Sequence, residues 1–245
     1  MIKEGIGMRL TYAAYPSLLM GMLLASLNVW ADDGECAIVT SKLEMAREKG
    51  GGLDVTFSVL GRASLIEGDI ESDLGLEYGN LFNSGAGFAL EGAILWEVSP
   101  TWKMGPYVSF GYDAYGGEIF YDSYGNSLKA DDLYTLTFLL GGEAQGDFGA
   151  GFYGDVHLAL GFANYTGVNG IMTILTIPIG VEIFKGGPAF AFDLGSRLGF
   201  NLSTFLFLEL GFSLRAQGAP QEGDLNLSPD SPFIAALEFG GGLRF

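Results

Sequence analysis

Residues 233–245 (FIAALEFGGGLRF) alternate apolar side chains with small or polar ones and end on phenylalanine. A period of two marks a β-strand with one apolar face, because successive side chains of a strand point to opposite sides. Phe233, Leu237, Phe239, Leu243 and Phe245 share one face, and Glu238 and Arg244 share the other. The same register recurs from Leu53 onward. Its apolar rows begin with Leu53, Val55, Phe57 and Val59, and continue through Leu90, Ile94 and Trp96, then Val108, Phe110 and Tyr112. A later row holds Ile171, Leu175, Ile177, Ile179, Val181 and Ile183. With the final segment the rows number nine, and none contains Asp, Glu, Lys, Arg or His.

The final segment resembles the closing strand of bacterial outer-membrane β-barrel proteins. In that family the last strand, with its terminal Phe, is what the barrel assembly machinery reads. The resemblance implies an all-β fold, a transmembrane antiparallel up-and-down barrel, with Phe239, Leu243 and Phe245 as the assembly signal. It also implies the outer membrane of a Gram-negative bacterium, with membrane lipid and lipopolysaccharide as surroundings. The residues point the same way. A charge at the bilayer midplane costs about 2 to 4 kcal/mol on a barrel exterior, which explains rows without charge. The opposite faces are built mostly from Gly, Ala, Ser and Thr, whereas a water-facing sheet carries far more Lys and Glu. Glycine, 39 of 245 residues, is also too frequent for an ordinary soluble sheet.

The N-terminus fits an exported protein. Lys3 and Arg9, an apolar run over 18–27 and the small residue Ala31 read as a signal peptide over 1–31. That run is shorter than the roughly 20 residues of a spanning helix. Residues 32–52 read as a periplasmic extension, with Ser41 and Glu44 at capping-box spacing for a short helix over 41–49. The barrel is expected over 53–245. Cys36 is the only cysteine, so no intramolecular disulfide forms, and no lipobox precedes it.

A barrel whose ends both face the periplasm needs an even number of strands. The segment 70–78, in which Ile70, Leu74, Leu76 and Tyr78 alternate with acids and Gly75, supplies a tenth candidate. Ten strands are therefore expected, with eight as the alternative. Two long polar connections, 115–131 and 217–231, conflict with ten strands. They would fall at opposite ends, although long loops belong outside the cell.

The inward faces carry the titratable groups. The expected lumen network is Arg62, Glu91, Glu97, Lys103, Asp113, Glu143, Asp155, His157, Glu182, Asp193, Arg197, Glu209, Arg215, Glu238 and Arg244. Buried charges persist when paired, so an ion-pair network is expected. The alternative is a wet, cation-preferring path lined by acids. Asp155 and His157, two apart on one face, are similar to the catalytic pair of omptin-type outer-membrane proteases. That resemblance implies His157 as base and Asp155 as its orienting partner. The second acidic pair of that family is matched poorly by adjacent Asp131 and Asp132. Lipid A deacylation needs a Ser beside the His, and His157 has none on its strand.

No metal or cofactor is expected, since one His and one remote Cys give no clustered ligand spacing. The net charge of −17 argues against nucleic acid. Loop acids such as Asp122, Asp131 and Asp224 are expected to be solvated or to hold divalent cations. The expected role is non-enzymatic, a monomeric structural or small porin-like protein with weak cation passage. Two alternatives remain open: a surface binding protein acting through loops such as 116–129, whose Tyr115, Phe120, Tyr121 and Tyr124 suit either an interface or the girdle at the membrane boundary, and a barrel hydrolase using Asp155 and His157.

Overall fold

The computed structural model describes residues 52–71, 76–225, 227 and 229–245. The expected signal peptide, Cys36 and the helix over 41–49 lie outside them. In chain order the elements are β1 (Leu53–Glu67), β2 (Asp69–Glu71), β3 (Leu76–Glu77), one helical turn α1 (Tyr78–Leu81), β4 (Phe82–Ser99) and β5 (Trp102–Gly117). There follow β6 (Ile119–Tyr121), β7 (Ser127–Ala130), β8 (Leu133–Gly149), β9 (Phe152–Tyr165), β10 (Val168–Ile174) and β11 (Ile177–Lys185). The chain ends with β12 (Gly187–Asn201), β13 (Leu206–Gln217), β14 (Gln221–Glu222) and β15 (Phe233–Arg244).

Eight of these close into a barrel in the order β1, β4, β5, β8, β9, β12, β13, β15. Every neighbouring pair is antiparallel, and β15 returns to β1 with Arg62 opposite Glu238 and Phe57 opposite Leu243. Closure removes the free edges that an open sheet would leave in lipid.

The count is thus eight, not the preferred ten. The described residues of the segment 70–78 belong to the ribbon β2–β3 and to α1, not to the barrel wall. The row from Ile171 to Ile183 is not a barrel strand but a separate hairpin. Leu175 and Thr176 adopt positive φ (48° and 74°) and fold the run back on itself, with Ile174 opposite Ile177. Its arms are 7 and 9 residues long, against 12 to 18 for the barrel strands. With eight strands the loop conflict disappears. Short turns at 100–101, 150–151 and 202–205 lie at the end holding Leu53 and Phe245, and the long connections 68–81, 118–132, 166–186 and 218–232 gather at the other. The last three build a five-stranded sheet, ordered β14-β11-β10-β7-β6, above the barrel mouth, and 68–81 holds the separate β2–β3 ribbon.

The apolar core is in two places. The larger cluster sits at the mouth and joins barrel ends to the loop sheet through Ile66, Tyr78, Leu81, Phe82, Tyr115, Leu133, Tyr165, Ile183, Phe184 and Ile234. A smaller patch, Ala93, Leu95, Tyr107, Leu139, Ala159, Ala163 and Ala191, lines the inner wall.

Candidate functional site

Strand alternation turns the charged residues of the eight strands inward, where two guanidiniums gather most of the carboxylates. Arg62 Nε donates to Glu238 Oε1 at 2.9 Å, and Arg62 also lies 3.6 Å from Glu91 and 3.9 Å from Asp113. Arg197 Nε donates to Asp155 Oδ1 at 3.0 Å and Nη1 to Glu91, while Glu143 and Glu209 each stand 3.7 Å away. A third, Arg215, bridges Asp193 at 2.8 Å and Asp113 at 3.1 Å. Hydroxyls fill remaining positions: Tyr153 donates to Glu209 at 2.8 Å and Ser213 to Glu238 at 2.9 Å. Each of these charged side chains is buried. Glycines make the room: a Cβ at Gly195 would collide with the His157 ring, and one at Gly199 with the Tyr153 ring.

Outside, the pattern inverts. Phe57, Leu140, Phe162, Leu198, Leu210 and Leu237 are more than half exposed, and they belong to the charge-free rows. A water-soluble barrel hides its apolar face and wets its polar one; this molecule ion-pairs its polar face inside and presents aliphatic and aromatic side chains around its whole girth. The fold is that of an outer-membrane β-barrel. The sequence matches no protein-family model and no curated protein. Solved structures of outer-membrane proteins are similar to it at low identity. The attachment invasion locus protein Ail of Yersinia pestis is 15% identical with a TM-score of 0.42, covering 79% of this chain and 99% of that one. The outer membrane protease OmpT of Escherichia coli is 8% identical with a TM-score of 0.44, covering 79% and 96%. The outer membrane protein OprG of Pseudomonas aeruginosa is 12% identical with a TM-score of 0.42, covering 80% and 97%.

Within this barrel His157 is engaged on both sides. Its Nδ1 lies 2.9 Å from Arg197 Nη2 and its Nε2 lies 3.1 Å from Asp193 Oδ1. Because a guanidinium only donates, Nδ1 must accept, which assigns the proton to Nε2 and the bond to Asp193. The ring is further stacked on Tyr107 at 4.7 Å. Asp155, expected to orient His157, is instead held by Arg197. With Nδ1 capped by a cation and Nε2 already donating, no lone pair of His157 is left to take a proton from water. Among the described residues no group of His, Cys, Asp and Glu has the arrangement of a metal site.

Four expected lumen residues stand outside this central network. Glu182 is on β11 in the loop sheet, where its N–H donates to Asp224 Oδ2 at 3.3 Å, because its row folded into the hairpin rather than the wall. Glu97 is exposed at the short-turn rim, opposite Lys103, because β4 has left the packed lumen by that point. Lys103 is half-buried there and pairs with Asp54. Arg244 closes the same rim, donating to Asn201 Oδ1 at 3.1 Å and lying over the rings of Tyr153 and Phe207 at 4.7 and 5.4 Å. Sequence reasoning placed Asp54 and Tyr153 on the inward rows but did not single out Tyr107 and Ser213 as partners in this network. Their inward register was the available signal.

The opposite mouth is covered by apolar groups. Tyr78 stacks on Phe184 at 5.9 Å and donates to the Asp230 carbonyl at 3.2 Å; burial pushes its phenol above the ordinary range. Tyr165 reaches across to the Gly218 carbonyl at 3.0 Å. Tyr78 was read as ordinary alternation and Phe184 and Tyr165 were not singled out, and nothing in their spacing announced that separate loops converge on them.

Proposed function

We propose that this chain is a non-enzymatic surface protein of the outer membrane, in which a side-chain-filled barrel anchors a folded extracellular sheet that binds a partner. The observation that carries this reading is the apolar cluster of Tyr78, Leu81, Phe82, Tyr115, Tyr165 and Phe184 over the mouth. A conducting lumen needs a wet entrance, and an aromatic stopper excludes water there. Below it the guanidiniums are committed to carboxylates, as expected of an eight-stranded barrel whose interior is just wide enough for side chains. The loops, by contrast, are organised as hydrogen-bonded strands over a core of their own, an arrangement suited to presenting a fixed surface. Lipid and lipopolysaccharide are the proposed neighbours of the outer wall, and Phe239, Leu243 and Phe245 the proposed assembly signal. Planar-bilayer recording of refolded protein, with its fold checked by heat-modifiable gel mobility, tests the reading. Silence is expected. Steady cation-selective steps would overturn it in favour of a small acidic porin.

A further inference from the structure

The β10–β11 hairpin is part of the loop sheet, with β10 paired to β7 as far as Thr173, and it has no charged residue between Gly167 and Val181. At its apex Leu175 is 84% exposed and Ile177 63%, with Ile171, Ile174 and Ile179 also open to solvent. Two-residue hairpin turns with positive φ at both positions favour Asn-Gly, and a leucine followed by a β-branched threonine is a disfavoured choice there. Leu175 and Thr176 nonetheless occupy those positions at φ 48° and 74°. A turn kept against its own preference, with an aliphatic side chain at its tip, is shaped for contact rather than for stability.

The mode of contact follows from the edge. β14 pairs with β11 only at Phe184 and Lys185, so the rest of β11 is an outer edge. Ile174 and Ile177 close the hairpin and Thr173 faces Pro178 in the next, non-hydrogen-bonded pair. The ring nitrogen of Pro178 therefore faces outward, where another residue would offer an N–H. That blunts the edge against an added strand and leaves side chains to do the recognising.

Charge then selects the partner. Around the sheet stand Glu118, Asp122, Asp131, Glu182, Glu222 and Asp224, against Lys129 and Lys185. An acidic rim around an apolar tip complements a basic rim around an apolar groove, and it repels both a second copy of the chain and a phosphate-rich lipid surface. We propose that the β10–β11 tip is a docking finger for a cationic protein partner, with the aliphatic apex entering an apolar groove and the surrounding carboxylates meeting Lys and Arg. This rests on the surface-binding reading above.

The test uses the full chain refolded into phosphatidylcholine nanodiscs and passed over two immobilised synthetic amphipathic helices, one of Leu and Lys and its twin of Leu and Glu. Capture by the Lys helix alone, weakening as salt rises, is expected. The double variant Leu175→Asn with Thr176→Gly keeps the hairpin, since Asn-Gly suits the turn, and should lose capture by about tenfold or more. Equal capture by both helices, or a double variant that binds like the parent, overturns the finger. A variant lacking 168–185 separates the two readings. If its capture is lost while the double variant binds normally, the sheet binds but the tip does not; if neither change matters, both readings fall.

Discussion

Two hairpins in this molecule look alike from outside and opposite from within. On the barrel pair β12–β13, Phe190, Leu194, Leu198, Leu210 and Phe212 face outward; on β10–β11, Ile171, Ile177 and Ile179 are exposed in the same way. Behind the barrel pair lie Asp193, Arg197, Glu209 and Arg215, each buried in the ion-pair network. On the loop hairpin, Ile177 and Ile179 share the face of Met172 and Val181, which pack on the mouth core, so the row runs on past that core into solvent. An apolar outer row therefore means two things. Where the inner face is charged and paired, the outer row is the only apolar face, and lipid is what receives it. Where an apolar row runs on past the core that its own near end packs against, the exposed remainder is surplus in water and calls for a partner.

The inner faces should break first. Arg197→Met removes donors from Glu91, Asp155 and His157 together, leaving buried carboxylates unpaired. Such a loss costs about 3 to 5 kcal/mol when one partner of a buried pair is removed. Urea unfolding in phospholipid vesicles should show the whole barrel weakened. A variant as stable as the parent would mean that the network is hydrated and that the contrast between the two inner faces is smaller than drawn.

The outer faces sharpen the comparison by difference. Leu158→Arg places a charge near the middle of β9 on the lipid side, at a cost of about 2 to 4 kcal/mol. The same change at Ile177, in water, should stay within about 0.5 kcal/mol. Both are read from the same folding titration. Equal penalties would place the hairpin against lipid rather than above it.

This contrast also explains what the sequence disclosed. The closing strand and its facing were legible, since alternation alone decides which residues face out; its register with β1, which sets Arg62 opposite Glu238, was not. Nor was the strand count. Ile171 to Ile183 carries perfect alternation, and the turn that splits it has neither Gly nor Asn, so a hairpin in water passed for a strand in lipid. Pro178 was no signal either, because the wall strands β5 and β12 hold Pro106 and Pro188. For the network, alternation gave the facing but not the partners. Arg197 takes both Glu91, 106 residues away, and Asp155 of the neighbouring strand, which removes the Asp155–His157 couple that sequence spacing suggested.

The smallest effect belongs to the β6–β7 turn, beside the finger. Asp122 accepts from the Asn126 side chain at 2.7 Å and from the N–H groups of Tyr124 and Asn126 at 2.8 and 2.9 Å. These bonds, the Asn126 side chain first, hold its carboxyl below the ordinary range. The folded turn thus binds its proton more weakly than the unfolded chain, whose Asp titrates near about 3.9. The turn's extra stability is fully present above that value and is lost as pH falls through the lower folded one. Carboxyl and amide chemical shifts of Asp122, Tyr124 and Asn126, followed by NMR from neutral to acid pH, should show the turn loosening at the acid end while the amides of β13 hold. Asp122→Ala should abolish that pH dependence without touching the barrel. If the β13 amides shift in step with the turn, the loop sheet and the wall form one cooperative unit, and the finger is stiffened by the barrel rather than by its own core.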